Sequence, residues 1–175
     1  MIETNNLQLL PVERRYIEAF LRDRRELAAL LQVRVPDSWP RFPEVFSLPA
    51  GESSAANPPS TGWDGYFFIH PQEEALAGNG GFKGPPDESG TVEIGYEIAS
   101  EYWNRGLATE AVRGMIDFAF THAEVRAVIA HTLAEKNASN SVLQKVGMKF
   151  VAEVDDPDED KLWRWQINRD EYHST

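Results

Sequence analysis

Between Ile98 and Ala111 the chain reads IASEYWNRGLATEA. Within it, Trp103-Asn104-Arg105-Gly106-Leu107-Ala108 lies between a strand-like stretch and an amphipathic helix. The first N–H groups of a helix have no partner inside it and carry the positive end of its dipole. Glycine at such a point lets backbone approach an anion with no Cβ in the way. Arg105 adds a guanidinium, whose fork suits phosphate oxygens. Together these residues have the makings of a phosphate cradle. As bare spacing they also describe a plain turn, and the pattern is neither GxxxxGK[ST] nor GxGxxG.

Other chemistries are narrowed by composition. The chain has no cysteine, which removes disulfides, zinc–thiolate sites and thiol nucleophiles. His70, His122, His131 and His173 are scattered, with no HxxxH or HExxH spacing, so no metal is expected. The block Glu153–Asp160 (EVDDPDED) reads as a solvated loop or as a rim that attracts a cationic substrate, and it lacks EF-hand spacing. A net charge of −11 makes a poor general binder of nucleic acid. No apolar run approaches the roughly 18 residues that cross a membrane. The N-terminus, MIETNNLQLL, has no basic region followed by an apolar stretch. The expectation is a cytoplasmic protein of one domain, residues 1–175, with neither nucleic acid nor membrane as partner.

The elements that would position the loop follow from periodicity. Glu3–Leu10 reads as a strand, and Val12–Leu31 as one helix or two, broken near Arg22–Arg25. Pro36–Gly62 contains six prolines and holds little regular structure, although Phe42, Val45, Phe46 and Leu48 suggest a short helix. Gly65–His70 and Ala75–Phe82 form a hairpin. Thr91–Ala99 is a third strand, with Val92, Ile94, Tyr96 and Ile98 on one face and Glu93, Gly95 and Glu97 on the other. Thr109–His122 is the best helix. Ala127–Leu133 is a strand and Ser139–Val146 a helix stopped by Gly147, before strands Met148–Val154 and Leu162–Asn168. Three consecutive strands predict antiparallel pairing, and the β–α–β unit from Thr91 to Leu133 predicts parallel neighbours.

The segment IGYEIASEYWNRGLATEA resembles motif A of the GNAT superfamily of N-acetyltransferases, and more narrowly its ribosomal-protein N-terminal acetyltransferase branch (RimJ/RimL-like). Against the superfamily pattern Q/R-x-x-G-x-G/A, Trp103 stands at the first position, Gly106 at the glycine and Ala108 at the last. Downstream, EKNASNSVLQKVGMKF resembles a second family segment through Ser139, Val142, Leu143, Lys145 and Gly147. The family asparagine falls at Lys136, with Asn137 and Asn140 beside it. Leu162–Tyr172 resembles the closing strand.

The resemblance implies an α/β fold with a mixed, mostly antiparallel sheet of about seven strands, splayed at the cofactor site and flanked by helices. It implies acetyl-CoA as co-substrate. Its pyrophosphate would lie on the amides of Asn104, Arg105, Gly106, Leu107, Ala108 and Thr109. Its pantetheine would lie beside Ile98 and Ala99, and Asn137, Asn140 and Lys145 would supply further contacts. The acceptor would be a primary amine, on a protein N-terminus or a small molecule, attacking directly. Glu93 is the first candidate for general base and Glu97 the second. Ser139 is the candidate acid for the leaving thiolate, and is equally explained as a helix N-cap. Dimers are common in this branch, so a homodimer is one expectation. Trp39, Phe42 and Phe46 line an acceptor pocket or pack the loop, and Trp163 and Trp165 read as packing residues. A non-catalytic acyl-CoA-binding domain on the same fold is the competing reading, and an unrelated nucleotide-binding α/β protein is the third.

Overall fold

The computed structural model describes residues 1–46 and 61–172. Its sheet contains strands β1 (Ile2–Glu3), β2 (Gln8–Pro11), β3 (Gly65–His70), β4 (Ala75–Phe82), β5 (Thr91–Ile98), β6 (Ala127–Leu133), β7 (Lys149–Asp156) and β8 (Asp160–Asn168), in the order β1-β2-β3-β4-β5-β6-β8-β7. Helices α1 (Arg14–Arg22) and α2 (Arg24–Leu31) follow β2, α3 (Leu107–Thr121) joins β5 to β6, and α4 (Ala138–Lys145) joins β6 to β7. β5 and β6 pair in parallel, and the other neighbours are antiparallel. This is the expected mixed α/β architecture, with eight strands rather than about seven.

The extra strand comes from Glu3–Leu10. Asn5 and Asn6 turn the chain back on itself, so that Ile2 faces Leu9 and Thr4 N–H bonds Leu7 C=O. The helical stretch also divides, at Asp23. Its side chain accepts the Arg25 N–H at 2.8 Å, which caps α2 just after α1 ends. The acidic block is mostly strand and not loop: β7 and β8 run to a tight tip at Asp156–Asp160, where Asp156 Oδ1 accepts the N–H groups of Asp158 and Glu159. In the proline-rich stretch the expected short helix is one 3-10 turn, Pro43–Val45. Leu48, with the three prolines from Pro49 onward, lies outside the described residues, as does His173.

Two apolar layers sandwich the sheet. On one face α3 buries Ala111, Val112, Met115, Ile116 and Ala119, the stripe that its 3.6-residue rhythm predicts. On the other, Trp39, 1 % exposed, packs against Phe20, Phe46 and Phe67 with ring centroids 5.3–5.8 Å apart. The Arg24 guanidinium donates to the carbonyls of Pro36 and Trp39 and so ties the start of the proline-rich stretch to α2. Trp165 is likewise a core residue, its indole N–H donating to Thr132 Oγ1 at 3.0 Å.

Glu110, in the first turn of α3, fastens the N-terminal hairpin to the motif helix. Oε1 accepts from Thr4 Oγ1 at 2.5 Å and Asn6 N–H at 2.6 Å, and Oε2 from Asn6 Nδ2 at 2.9 Å. Burial alone would raise its pKa, but the Asn6 and Thr4 donors outweigh burial and hold the carboxyl below its ordinary value. Replacement Glu110→Ala strands these donors and should cost about 1.5 kcal/mol of stability, read as a lower urea midpoint. Because a lowered carboxyl pKa stabilises the fold above the unfolded value of about 4.3, the difference between variant and parent should shrink as pH falls through the folded value.

Candidate active site

The β5–β6 ladder has only the pairs Thr91↔Ala127, Val92↔Val128 and Glu93↔Ile129. Beyond Glu93, β5 continues to Ile98 against β4, while β6 continues to Leu133 against β8. The two strands therefore part and leave a wedge between them. Glu93 C=O accepts from Lys83 N–H, and Ala99 N–H donates to Ala77 C=O. Odd-numbered residues of β5 thus turn their backbone polar groups to β4, so Ile94, Tyr96 and Ile98 turn theirs to the wedge. Parallel strands with unpaired polar backbone offer an extended ligand a place to bond as a strand would.

The wedge opens into a cleft of about 500 Å³ between the loop before α3 and the exposed side of α4. Gly106 is the N-cap of α3 with φ 77°, and Asn104 also has positive φ, 59°. Only glycine adopts this region without a steric cost, and a Cβ on Gly106 would project into open space at the mouth of the helix. No side chain caps α3. The first intrahelical donor is Glu110 N–H to Gly106 C=O, which leaves the amides of Leu107, Ala108 and Thr109 without a helical partner. Ile98, Trp103, Asn104, Gly106, Leu107, Ala108, Thr109 and Lys145, all named from sequence, line this cleft, as do Ser141 and Arg41. Trp103 is half exposed, and its indole N–H donates to the Ile98 carbonyl at 2.7 Å.

Several sequence candidates are engaged elsewhere. The Arg105 guanidinium pairs with Glu73 and lies 5.0 Å from the Tyr102 ring centre. This pair is exposed, so in water it holds weakly and an anion in the cleft can compete for the arginine. Asn137, and not Ser139, is the N-cap of α4, accepting from Asn140 N–H at 3.0 Å. Asn140 is buried, with its amide donating to Glu135 C=O at 2.7 Å. Ser139 lies in the first turn, where its carbonyl accepts from the Tyr96 hydroxyl at 3.3 Å. Ala99 is buried, with its N–H committed to Ala77.

The two glutamates of β5 share a face and differ in surroundings. Glu93, at the last paired position, bonds Lys83 Nζ at 2.5 Å and His131 Nδ1 at 2.8 Å. Burial pushes its carboxyl up, but Lys83 and His131 together bring it below the ordinary value. For Glu97, burial is the largest effect and wins over the Arg41 and Phe42 N–H donors, so its carboxyl lies above the ordinary value. Glu97 Oε2 accepts from Arg41 N–H at 3.0 Å, and Oε1 is shut off from solvent with no hydrogen-bond partner among the described residues. Glu97 also borders a cavity of about 370 Å³ on this face. Gly81 and Gly95 form its floor, Lys83 marks its far end, and Val12, Ile17, Phe42 and Phe46 are among its walls. Phe42 and Phe46 thus line a pocket as one sequence reading had it, while Trp39 packs the loop. Arg41 and Glu97's orphaned oxygen were not legible in the sequence as site features: Arg41 sits in a stretch with no periodicity, and orphaning is a property of packing.

Among the described residues no group of three or more His, Asp or Glu is placed to hold a metal ion, and no helix is long and apolar enough to cross a membrane. The chain is 24 % identical over 148 residues to the uncharacterised N-acetyltransferase YjdG of Bacillus subtilis (strain 168), covering 84 % of this chain and 88 % of that protein. Its fold matches a GNAT-family acetyltransferase from Bacillus anthracis with a TM-score of 0.64 at 19 % identity, over 97 % of this chain and 99 % of the other. It also matches RimL, a ribosomal L7/L12 α-N-protein acetyltransferase in complex with coenzyme A, with a TM-score of 0.65 at 12 % identity, over 94 % and 95 % of the two chains. The acetyltransferase (GNAT) domain profile matches residues 11–149, and with the splayed sheet and the uncapped helix behind Gly106 this places the chain in the GNAT family of N-acetyltransferases.

Proposed function

We propose that the protein moves the acetyl group of acetyl-CoA to a primary amine by direct attack in a ternary complex. When bound, acetyl-CoA supplies a thioester whose acyl carbon accepts the amine's lone pair as the C–S bond breaks. The residues present fit it. The amides of Leu107, Ala108 and Thr109 and the open space at Gly106 suit a pyrophosphate. Arg41 and Lys145 on the cleft walls supply positive charge. The wedge-facing backbone of Tyr96 and Ile98 suits the amides and thioester carbonyl of an extended arm, and an N–H there would stabilise the oxyanion.

The observation that carries the reading is the position of Glu97: one strand turns unpaired backbone to the wedge and carries, at the border of the adjoining cavity, a carboxylate with one oxygen unpartnered among the described residues. An ammonium must lose a proton before it attacks. Glu97, held above the ordinary carboxylate range, is the proposed acceptor of that proton. Glu93, which heads the sequence reading, is occupied by Lys83 and His131. The Tyr96 phenol, which donates to the Ser139 carbonyl, and the Ser139 hydroxyl are the proposed proton sources for the departing sulfur.

Three expectations test this. Glu97→Gln should lower kcat/KM in an acetyl-CoA thiol-release assay by about 10²–10⁴-fold, with the coenzyme A Kd unchanged. An equal loss in Glu93→Gln with little loss in Glu97→Gln would move the base to the Glu93–His131 pair. Glu97→Gln should also be more stable than the parent at pH 7: a raised carboxyl pKa costs the fold stability once pH exceeds the folded value, and no cost remains below the unfolded pKa of about 4.3. The melting temperatures should therefore converge near pH 4. Gly106→Ala should weaken coenzyme A by about tenfold or more in calorimetry, since the methyl occupies both a disfavoured φ and the cradle's mouth.

A further inference from the structure

The cavity beside Glu97 carries information about the acceptor itself. This deepens the acetyl-transfer reading and rests on it. Register sets the layout: Glu97 faces Asn79, Gly95 faces Gly81, and Lys83 N–H bonds Glu93 C=O. Glu97 and Lys83 therefore stand at opposite ends of a floor made of two glycines. Asn79 is spent on Trp39, whose indole N–H it accepts at 2.6 Å. Lys83 is spent on Glu93. The neighbouring carboxylate Glu44 is exposed on the Pro43–Val45 turn and is not a wall of the cavity. Among the described residues the walls facing the floor are aliphatic and aromatic, from Val12, Ile17, Phe42 and Phe46.

The acceptor's charge count follows from these partners. One ammonium finds the Glu97 side chain, which borders the cavity and whose carboxylate has an oxygen without a donor among the described residues. A second ammonium further along the floor finds, among the described residues, phenyl rings and then Lys83, whose partner Glu93 is already taken by Lys83 and His131, and an unpaired ion there is strongly disfavoured. An apolar body gains what the cation loses. Gly95 is where that body fits: its φ is ordinary for any residue, and nothing lies within 4 Å of the point where a Cβ would stand. A strand position that any side chain could take is thus left bare above the cavity floor.

We infer that the acceptor is a primary amine with a single positive charge on an apolar or aromatic body, and that polycations such as polyamines and aminoglycosides are poor acceptors. The same chemistry comes from two sources, a free arylalkylamine or a peptide whose first residue is large and apolar. The test is calorimetric titration of the coenzyme A-loaded protein with 2-phenylethylamine, a short peptide beginning with phenylalanine, and spermidine. The free amine, the peptide or both should bind about tenfold or more tightly than spermidine, and which of them binds identifies the source. Gly95→Val should weaken that binding by about tenfold with coenzyme A affinity unchanged. If circular dichroism shows the valine variant misfolded, Gly95→Ala should show the same effect at smaller size. Equal or tighter binding of spermidine, no binding of either apolar amine, or indifference to the residue at position 95 would overturn the inference. Absence of thiol release with every amine would overturn the acetyl-transfer reading instead, and the binding comparison would still decide this one.

Discussion

The parallel ladder between β5 and β6 stops after Glu93↔Ile129, and the rest of the structure is arranged around that interruption. Unpaired polar backbone inside a sheet is costly unless something else satisfies it. β4 and β8 hold the diverging strands from their outer sides with full antiparallel ladders, so the wedge is kept open by pairing on either side of it and not by a gap in packing. α3 crosses from one strand to the other, and its uncapped first turn brings positive partial charge to the mouth of the wedge. Partial relief is already present: the Trp103 indole takes the Ile98 carbonyl from outside.

Two sides of β5 then do different work with a period of two. Even-numbered residues send backbone to the wedge and side chains toward α3 and α4, where Val92 and Ile94 are core and Tyr96 reaches Ser139. Odd-numbered residues send side chains to the α1–α2 side, where Gly95 and Glu97 border the cavity of about 370 Å³ and Glu93 is held by Lys83 and His131. Arg41 connects these regions. Its backbone N–H holds Glu97 on the cavity side, while the residue also lines the cleft before α3. A stretch whose one regular element among the described residues is the Pro43–Val45 turn, pinned by Arg24 and by Trp39, therefore borders both the cleft and the cavity.

Much of this was legible in the residues. The 3.6-residue stripe of α3, the alternation of β5 and the β–α–β order predicted the sheet's parallel step, and IASEYWNRGLATEA marked the loop before α3. Pattern failed where local residues competed. Asn5 and Asn6 folded a predicted strand into a hairpin, while Asp23, inside the expected break, decided for two helices where one or two were open. The acidic run formed strands by extending the β7–β8 ladder to Asp156↔Asp160, with Asp155 facing Lys161 near the tip. Ser139 as an N-cap gave way to Asn137, two residues earlier, because α4 begins at Ala138.

The sequence by itself determined the element order, the motif loop and the family, because periodicity and short motifs are local and survive without knowledge of neighbours. Only the tertiary structure decided which charged groups are free to act. Glu93 and Glu97 are indistinguishable as letters on one face of a strand, yet one meets Lys83 and His131 while the other meets two backbone N–H groups and a cavity. Arg105 and Arg41 differ in the same way, the motif arginine pairing with Glu73 and a loop arginine lining the cleft. The physical reason is that a carboxylate's proton affinity and a guanidinium's direction are set by desolvation and by partners distant in sequence, and folding chooses both.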